Sequence, residues 1–107
     1  MLFFEWDPKK AAKNLHDHGI DFGAARKALE DPFRVEEIDQ VHEGELRLRT
    51  TGMAEGQVVV LVAHTNREAE NGIDEIARII HARKASPGER TEYERIRTSG
   101  GWNPTDR

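Results

Sequence analysis

The sequence predicts an α+β fold: a short N-terminal strand and two helices, a four-stranded antiparallel meander sheet, and a C-terminal helix. Two observations carry this prediction. Apolar residues spaced three and four apart, bounded by capping residues, mark helices at both ends of the chain, whereas between Phe33 and Lys84 the spacing falls towards two and β-branched residues accumulate. The 107 residues fit one domain, expected over residues 1–98 with 99–107 as a tail that includes Gly100 and Gly101.

Leu2 to Trp6 are apolar enough for a short strand. Asp7-Pro8 reads as an N-cap followed by proline in the first helical turn, where a missing N–H costs nothing. That helix keeps Ala11, Ala12 and Leu15 on one face and ends near His18, with Gly19 as a left-handed stop. Asp21 caps a second helix with Phe22, Ala25 and Leu29 facing inward, closed by Asp31-Pro32 because the residue before proline avoids the α region. Strands are expected over 33–38, 46–50, 58–62 and 76–83, the third central because it is apolar on both faces. Short polar connectors make them antiparallel neighbours, with the helices on one face. Ser86-Pro87-Gly88-Glu89 has capping-box spacing, which starts a third helix running to about Thr98 with Tyr93 and Ile96 inward.

Composition narrows the chemistry. The chain has no cysteine, so disulfides, thiolate metal sites and cysteine nucleophiles are excluded and a reducing cytoplasm suits it. No apolar run approaches the roughly 20 residues that span a bilayer, so no membrane partner is expected. Net charge is −4, from 16 basic and 20 acidic residues, which taken whole disfavours a nucleic-acid module. The distribution is uneven: residues 28–57 hold three basic and eight acidic groups, residues 76–97 six basic and three acidic. One region suits RNA and the other a basic partner.

Strict alternation along the last strand places Arg78, Ile80, Ala82 and Lys84 on one face, and Ile79, His81 and Arg83 on the other. The bland reading is a charged edge strand; the sharper one is a guanidinium-lined face that holds a phosphate in transition. Glu45 and Arg47 share a face two residues apart, a workable base and clamp, though such pairs are more often solvated ion pairs. His64 reads either as a satisfied core histidine or as a site residue at a strand end, and His81, beside Arg83, is poised for proton transfer. His18 is best explained by its place at a helix C-terminus. The sequence holds no clustered carboxylates with two-metal spacing, no glycine-rich phosphate loop and no serine-nucleophile motif, and no metal or other cofactor is expected.

Several strings together carry a resemblance: Phe4-Glu5-Trp6-Asp7-Pro8-x-Lys10-Ala11-x-x-Asn14-Leu15-x-x-His18-Gly19-Ile20-x-Phe22, Asp31-Pro32, Glu45-x-Arg47, His64-Thr65, Arg78-Ile79-Ile80-x-Ala82-Arg83-Lys84-Ala85 and Glu89-Arg90-x-x-Tyr93. In this order, over roughly residues 3–95, the chain resembles the BrnT ribonuclease toxins of bacterial type II toxin-antitoxin pairs. The resemblance implies a RelE-like fold and RNA cleavage that blocks translation and growth. It also implies a BrnA-like ribbon-helix-helix antitoxin, through which alone operator DNA is contacted. Carried over by position, it implies site roles for Glu45, Arg47, His64, Arg78, Arg83 and Tyr93, with Lys84 and Arg90 on the RNA. His81 stands where the family pattern has a small hydroxyl residue and joins the expected catalytic set on its own chemistry. The implied reaction is metal-independent attack of the ribose 2′-hydroxyl on the adjacent phosphate. The rival expectation is a non-catalytic protein that binds the antitoxin and modulates repression.

Overall fold

The computed structural model describes residues 1–99 of the chain; of the expected tail, residues 100–107 lie outside them. Strand β1 (Leu2–Glu5) leads into α1 (Pro8–His18) and α2 (Phe22–Leu29), followed by β2 (Val35–His42), β3 (Glu45–Met53), β4 (Val59–Glu68), β5 (Glu75–Lys84) and α3 (Pro87–Thr98). The helix signals act locally as their chemistry dictates. Asp7 accepts the Lys9 amide at 2.8 Å, Gly19 ends α1 at φ 71°, and Ser86 and Glu89 form a reciprocal capping box. Asp21 occupies the N-cap position of α2, but its side chain makes no capping hydrogen bond.

The sheet order is β1-β5-β4-β3-β2. Strands β2 to β5 form the expected antiparallel meander with β4 in the middle, but the sheet has five strands and is mixed, because β1 pairs in parallel with β5 from Leu2↔Glu75 to Glu5↔Arg78. This corrects the four-stranded antiparallel expectation. Leu2 and Phe4 need the core, and only the β5 edge offers their face both core contact and backbone partners. All four meander strands run longer than expected. Asp39 and Gln40, polar enough to read as loop, belong to an edge strand, and the β2–β3 turn shrinks to Glu43 and Gly44, both at positive φ.

The helices do not share one face, which corrects a second expectation. Helix α2 sets Phe22, Ala25, Ala28 and Leu29 against Val60, Val62, Ala77, Ile79 and Ala82. Gly52 lets it come this close: a Cβ there would stand 2.6 Å from the Ala28 carbonyl oxygen. Helix α3 packs against β2 and β3 from the other side. There the paired Thr51 and Leu61 are buried although they point away from α2. Tyr93 pins this arrangement, its hydroxyl donating to Asp31 at 2.5 Å while the same carboxylate accepts the Phe33 and Met53 amides.

A bulge in β5 divides the side chains between the two faces. Ala63 pairs with His81 and His64 with Ile79, so Ile80 is the extra residue. Ala77, Ile79 and Ala82 consequently all face the core, at 1%, 1% and 0% exposure, a spacing strict alternation forbids. Beyond the bulge, where β1 no longer covers the edge, α1 takes over. Asn14 donates from Nδ2 to the Ala82 and Ile20 carbonyls, each at 2.9 Å, and accepts the Ala82 amide at 3.0 Å.

Two predictions arise from this core. Asn14→Ala strands three buried backbone groups, and is expected to lower unfolding free energy by about 1–3 kcal/mol in urea titration. His64 is buried between Thr50, 2.8 Å from its Nε2, and Asn66, 2.7 Å from its Nδ1, and burial pushes its pKa below the ordinary 6.5. The native state therefore binds fewer protons there than the unfolded chain, so the contribution is full above about pH 6.5 and is lost as pH falls towards the depressed native value. Thermal melts should show the midpoint falling over that interval, with a shallower fall in His64→Gln.

Candidate nucleic-acid interface

On the face turned away from α2, the strand register arranges side chains in rows. One row runs Arg47↔Thr65↔Arg78↔Glu5 across β3, β4, β5 and β1. The next holds Arg49↔Ala63↔His81, and the third Thr51↔Leu61↔Arg83, where α3 begins to cover the sheet. Glu45 stands on the same face two residues before Arg47, and its charge reaches Arg67. Strands lie about 4.8 Å apart, so the backbones of Arg47 and Arg78 are roughly 10 Å apart with Thr65 between them, close enough for both guanidinium groups to meet one phosphate.

The bulge at Ile80 brings this set together. Simple alternation separates Arg78 from His81 and Arg83, whereas one inserted residue returns all three to the same side. Lys84 and Ala82 go to the opposite face, so the expected pairing of Arg78 with Lys84 is corrected.

Most of the arginines hold carboxylates. Glu5 is bonded to Arg67 and lies 3.7 Å from Arg78, and these cations keep its carboxyl below the usual carboxylate range. Arg49 lies 3.6 Å from both Glu37 and Asp39. Arg83 is gripped by Glu89 through two 2.9 Å bonds, which hold the Glu89 pKa at about 2. Arg47 alone of this group has no ion-pair partner among the described residues.

His81 is half-buried and meets the ring of His18 edge to face, with centroids 4.7 Å apart. Burial, then the neighbouring His18 and Arg83 charges, lower its pKa. Sequence reasoning kept His18 as a helix-end residue, but the structure places it beside this face. Asn14 lies one turn earlier on the same side of α1, so clamping Asn14 to Ala82 delivers His18 to His81. The Asn14-x-x-x-His18 spacing was the available signal, and its meaning depended on knowing what Asn14 binds.

The other expected site residues lie elsewhere. His64 is on the α2 side with both ring nitrogens engaged, and Tyr93 is buried with its hydroxyl committed to Asp31. Burial and the Asp31 carboxylate push the Tyr93 pKa upward. Lys84 and Arg90 line a separate groove of about 560 Å³ with Met53, Val59, Glu94 and Arg97. Arg97 is a cation there that sequence reading did not single out. No group of three His, Asp or Glu side chains converges on a metal-sized site, and no helix is long and apolar enough to cross a membrane, among the described residues.

The whole arrangement is an exposed sheet face with five arginines, intervening carboxylates and an imidazole pair. It offers bidentate donors for a phosphodiester and groups able to take and return a proton. Comparison with curated proteins finds no match. The family description "Ribonuclease toxin, BrnT, of type II toxin-antitoxin system" matches residues 6–89, a span that includes Asn14, His18, every arginine of this face and the bulged strand. The chain therefore belongs to the BrnT family of ribonuclease toxins of type II toxin-antitoxin systems.

Proposed function

We propose that this chain is an endoribonuclease that cleaves RNA on the arginine-lined face without a metal ion. The observation that carries the proposal is the convergence produced by the β5 bulge: Arg78, His81 and Arg83 on one side with Arg47, and His18 against His81. In this scheme His81, whose lowered pKa keeps it neutral at pH 7, takes the ribose 2′-hydroxyl proton. The 2′-oxygen bonds to phosphorus, Arg47 and Arg78 stabilise the charge that develops on the phosphate oxygens, and the bond to the 5′-oxygen breaks as that oxygen takes a proton from the His18–His81 pair, which holds the one removed from the 2′-hydroxyl. The products are a 2′,3′-cyclic phosphate and a 5′-hydroxyl. Glu45, beside Arg67 on the same face, is the alternative base. Lys84 and Arg90, in their own groove, extend the track for the RNA backbone.

RNA cleavage would block translation and growth in the cytoplasm, and a ribbon-helix-helix antitoxin of the BrnA kind would silence it and connect the chain to operator DNA. Kinship with RelE-like toxins is supported by the β2–β5 meander and the helix that follows it, while the parallel β1 edge departs from the expected pattern. One observation favours the second reading, a non-catalytic partner of the antitoxin: carboxylates already occupy four of the five arginines of the face.

Incubating the purified chain with matched single-stranded RNA and DNA in the presence of a chelator separates the two. The expected result is RNA cut to cyclic-phosphate and 5′-hydroxyl ends with DNA intact, since DNA lacks the attacking hydroxyl. Arg78→Ala and His81→Ala should each lower the rate by about 100-fold or more with melting curves unchanged. His18→Ala should lower it too, whereas His16→Ala, whose exposed ring meets only Asp17, should not. Cleavage of DNA at a similar rate, or metal-dependent cleavage, would refute the scheme.

A further inference from the structure

β2 is the outer strand of the sheet, hydrogen-bonded along its ladder to β3 and packed by α3 on the arginine side. Its pairing Ile38↔Leu48 and Val41↔Leu46 puts Ile38, Val41 and Leu46 on the α2 side of the sheet, the side opposite the arginine face. α2 does not reach this far, and Ile38 and Val41 remain 68% and 67% exposed. Leu46 and Leu48 continue the apolar surface into a groove of about 260 Å³ next to Leu29, with Glu36 and Glu75 on its walls. The one cation that lines it, Arg34, donates to the Asp31 carbonyl. The bulge at Asp39 interrupts the outer ladder of β2, a device that discourages addition of another strand. The contact this region offers is therefore its side-chain face.

Charge identifies the occupant. On this side of the sheet the register places Glu36 beside Thr50 and Glu75 beside Glu68, while Arg34, the cation lining the groove, is already engaged with the Asp31 carbonyl. A second copy of this chain would bring the same acidic surface against itself, whereas a Lys- or Arg-rich segment with an apolar stripe complements it. We infer that the Ile38–Val41–Leu46 stripe and its adjoining groove are the docking surface for a basic amphipathic segment of the antitoxin. The class of partner comes from membership of a toxin-antitoxin family, but the surface itself does not depend on the proposed catalytic scheme.

The test is calorimetric titration of the full chain with the antitoxin encoded beside it, alongside RNA cleavage by the free chain. Ile38→Arg/Val41→Arg introduces charge at two exposed positions and should weaken antitoxin binding by about 100-fold while leaving cleavage and melting unchanged. Glu36→Lys/Val41→Ser, a milder pair, should weaken it in the same direction, and wild-type affinity should fall as salt rises. Undiminished affinity in both double variants overturns the inference. So does sedimentation showing a wild-type dimer that the variants dissolve, which would make this face a self-interface. A chain that binds antitoxin through this surface but cuts no RNA removes the catalytic reading and leaves the docking surface standing.

Discussion

The single extra residue at Ile80, together with the Asn14 clamp just beyond it, is the constraint on which the rest of the arrangement depends. Without the bulge, a strand that buries Ala77 and Ile79 would turn Ala82 outward and send His81 and Arg83 into the core. With it, the core keeps three small or branched apolar residues and the opposite face collects the cations. The bulged segment lies where β5 has lost β1 as a neighbour, so its backbone groups would otherwise be orphaned beside the core. Asn14 supplies both a donor and an acceptor to Ala82, a pairing only an amide side chain makes so compactly. The same clamp fixes the rotation of α1 and thereby the position of His18. A structural necessity and a feature of the candidate site are therefore one set of hydrogen bonds.

Much of the fold was legible because its signals are local. Caps at Asp7, Gly19 and Ser86 act within a few residues of where they stand, and the run Val59 to Val62 is apolar on both faces as a central strand must be. What was not legible depends on partners distant in sequence. The parallel pairing of β1 joins residues more than 70 positions apart, and nothing in Leu2–Glu5 itself says which edge it takes. The side on which α3 packs follows from Tyr93 reaching Asp31, a contact across 62 positions.

The candidate site was legible as residue types and only partly as geometry. Arg47, Arg78, His81 and Arg83 were singled out, but alternation split the last three across two faces. The spacing of Ala77, Ile79 and Ala82 held the correction, since small apolar residues at intervals of two and then three mark a bulge when the strand is known to be half-buried. His64 shows the opposite case. Its place after a valine-rich strand fitted a core residue or a strand-end site equally, and only the partners Thr50 and Asn66 define its role in the core.

Net charge misleads here for a related reason. Several acidic residues that make the chain negative serve as counter-ions to the arginine face: Glu5 for Arg67 and Arg78, Glu37 and Asp39 for Arg49, and Glu89 for Arg83. Exposure distinguishes among them. Glu5 and its two arginines are about one-third to one-half exposed, and solvent-screened ion pairs of that kind contribute little to stability. In the proposed reading such pairs leave the guanidinium groups exchangeable, so a phosphate offering bidentate, charge-assisted bonds would displace the carboxylate. The Arg83–Glu89 pair is different: it is bidentate, less exposed and part of the α3 capping box. Arg83 is therefore fixed as the wall where the sheet meets α3, and in the proposed scheme this leaves Arg47 and Arg78, on either side of Thr65, as the cations for an incoming phosphate.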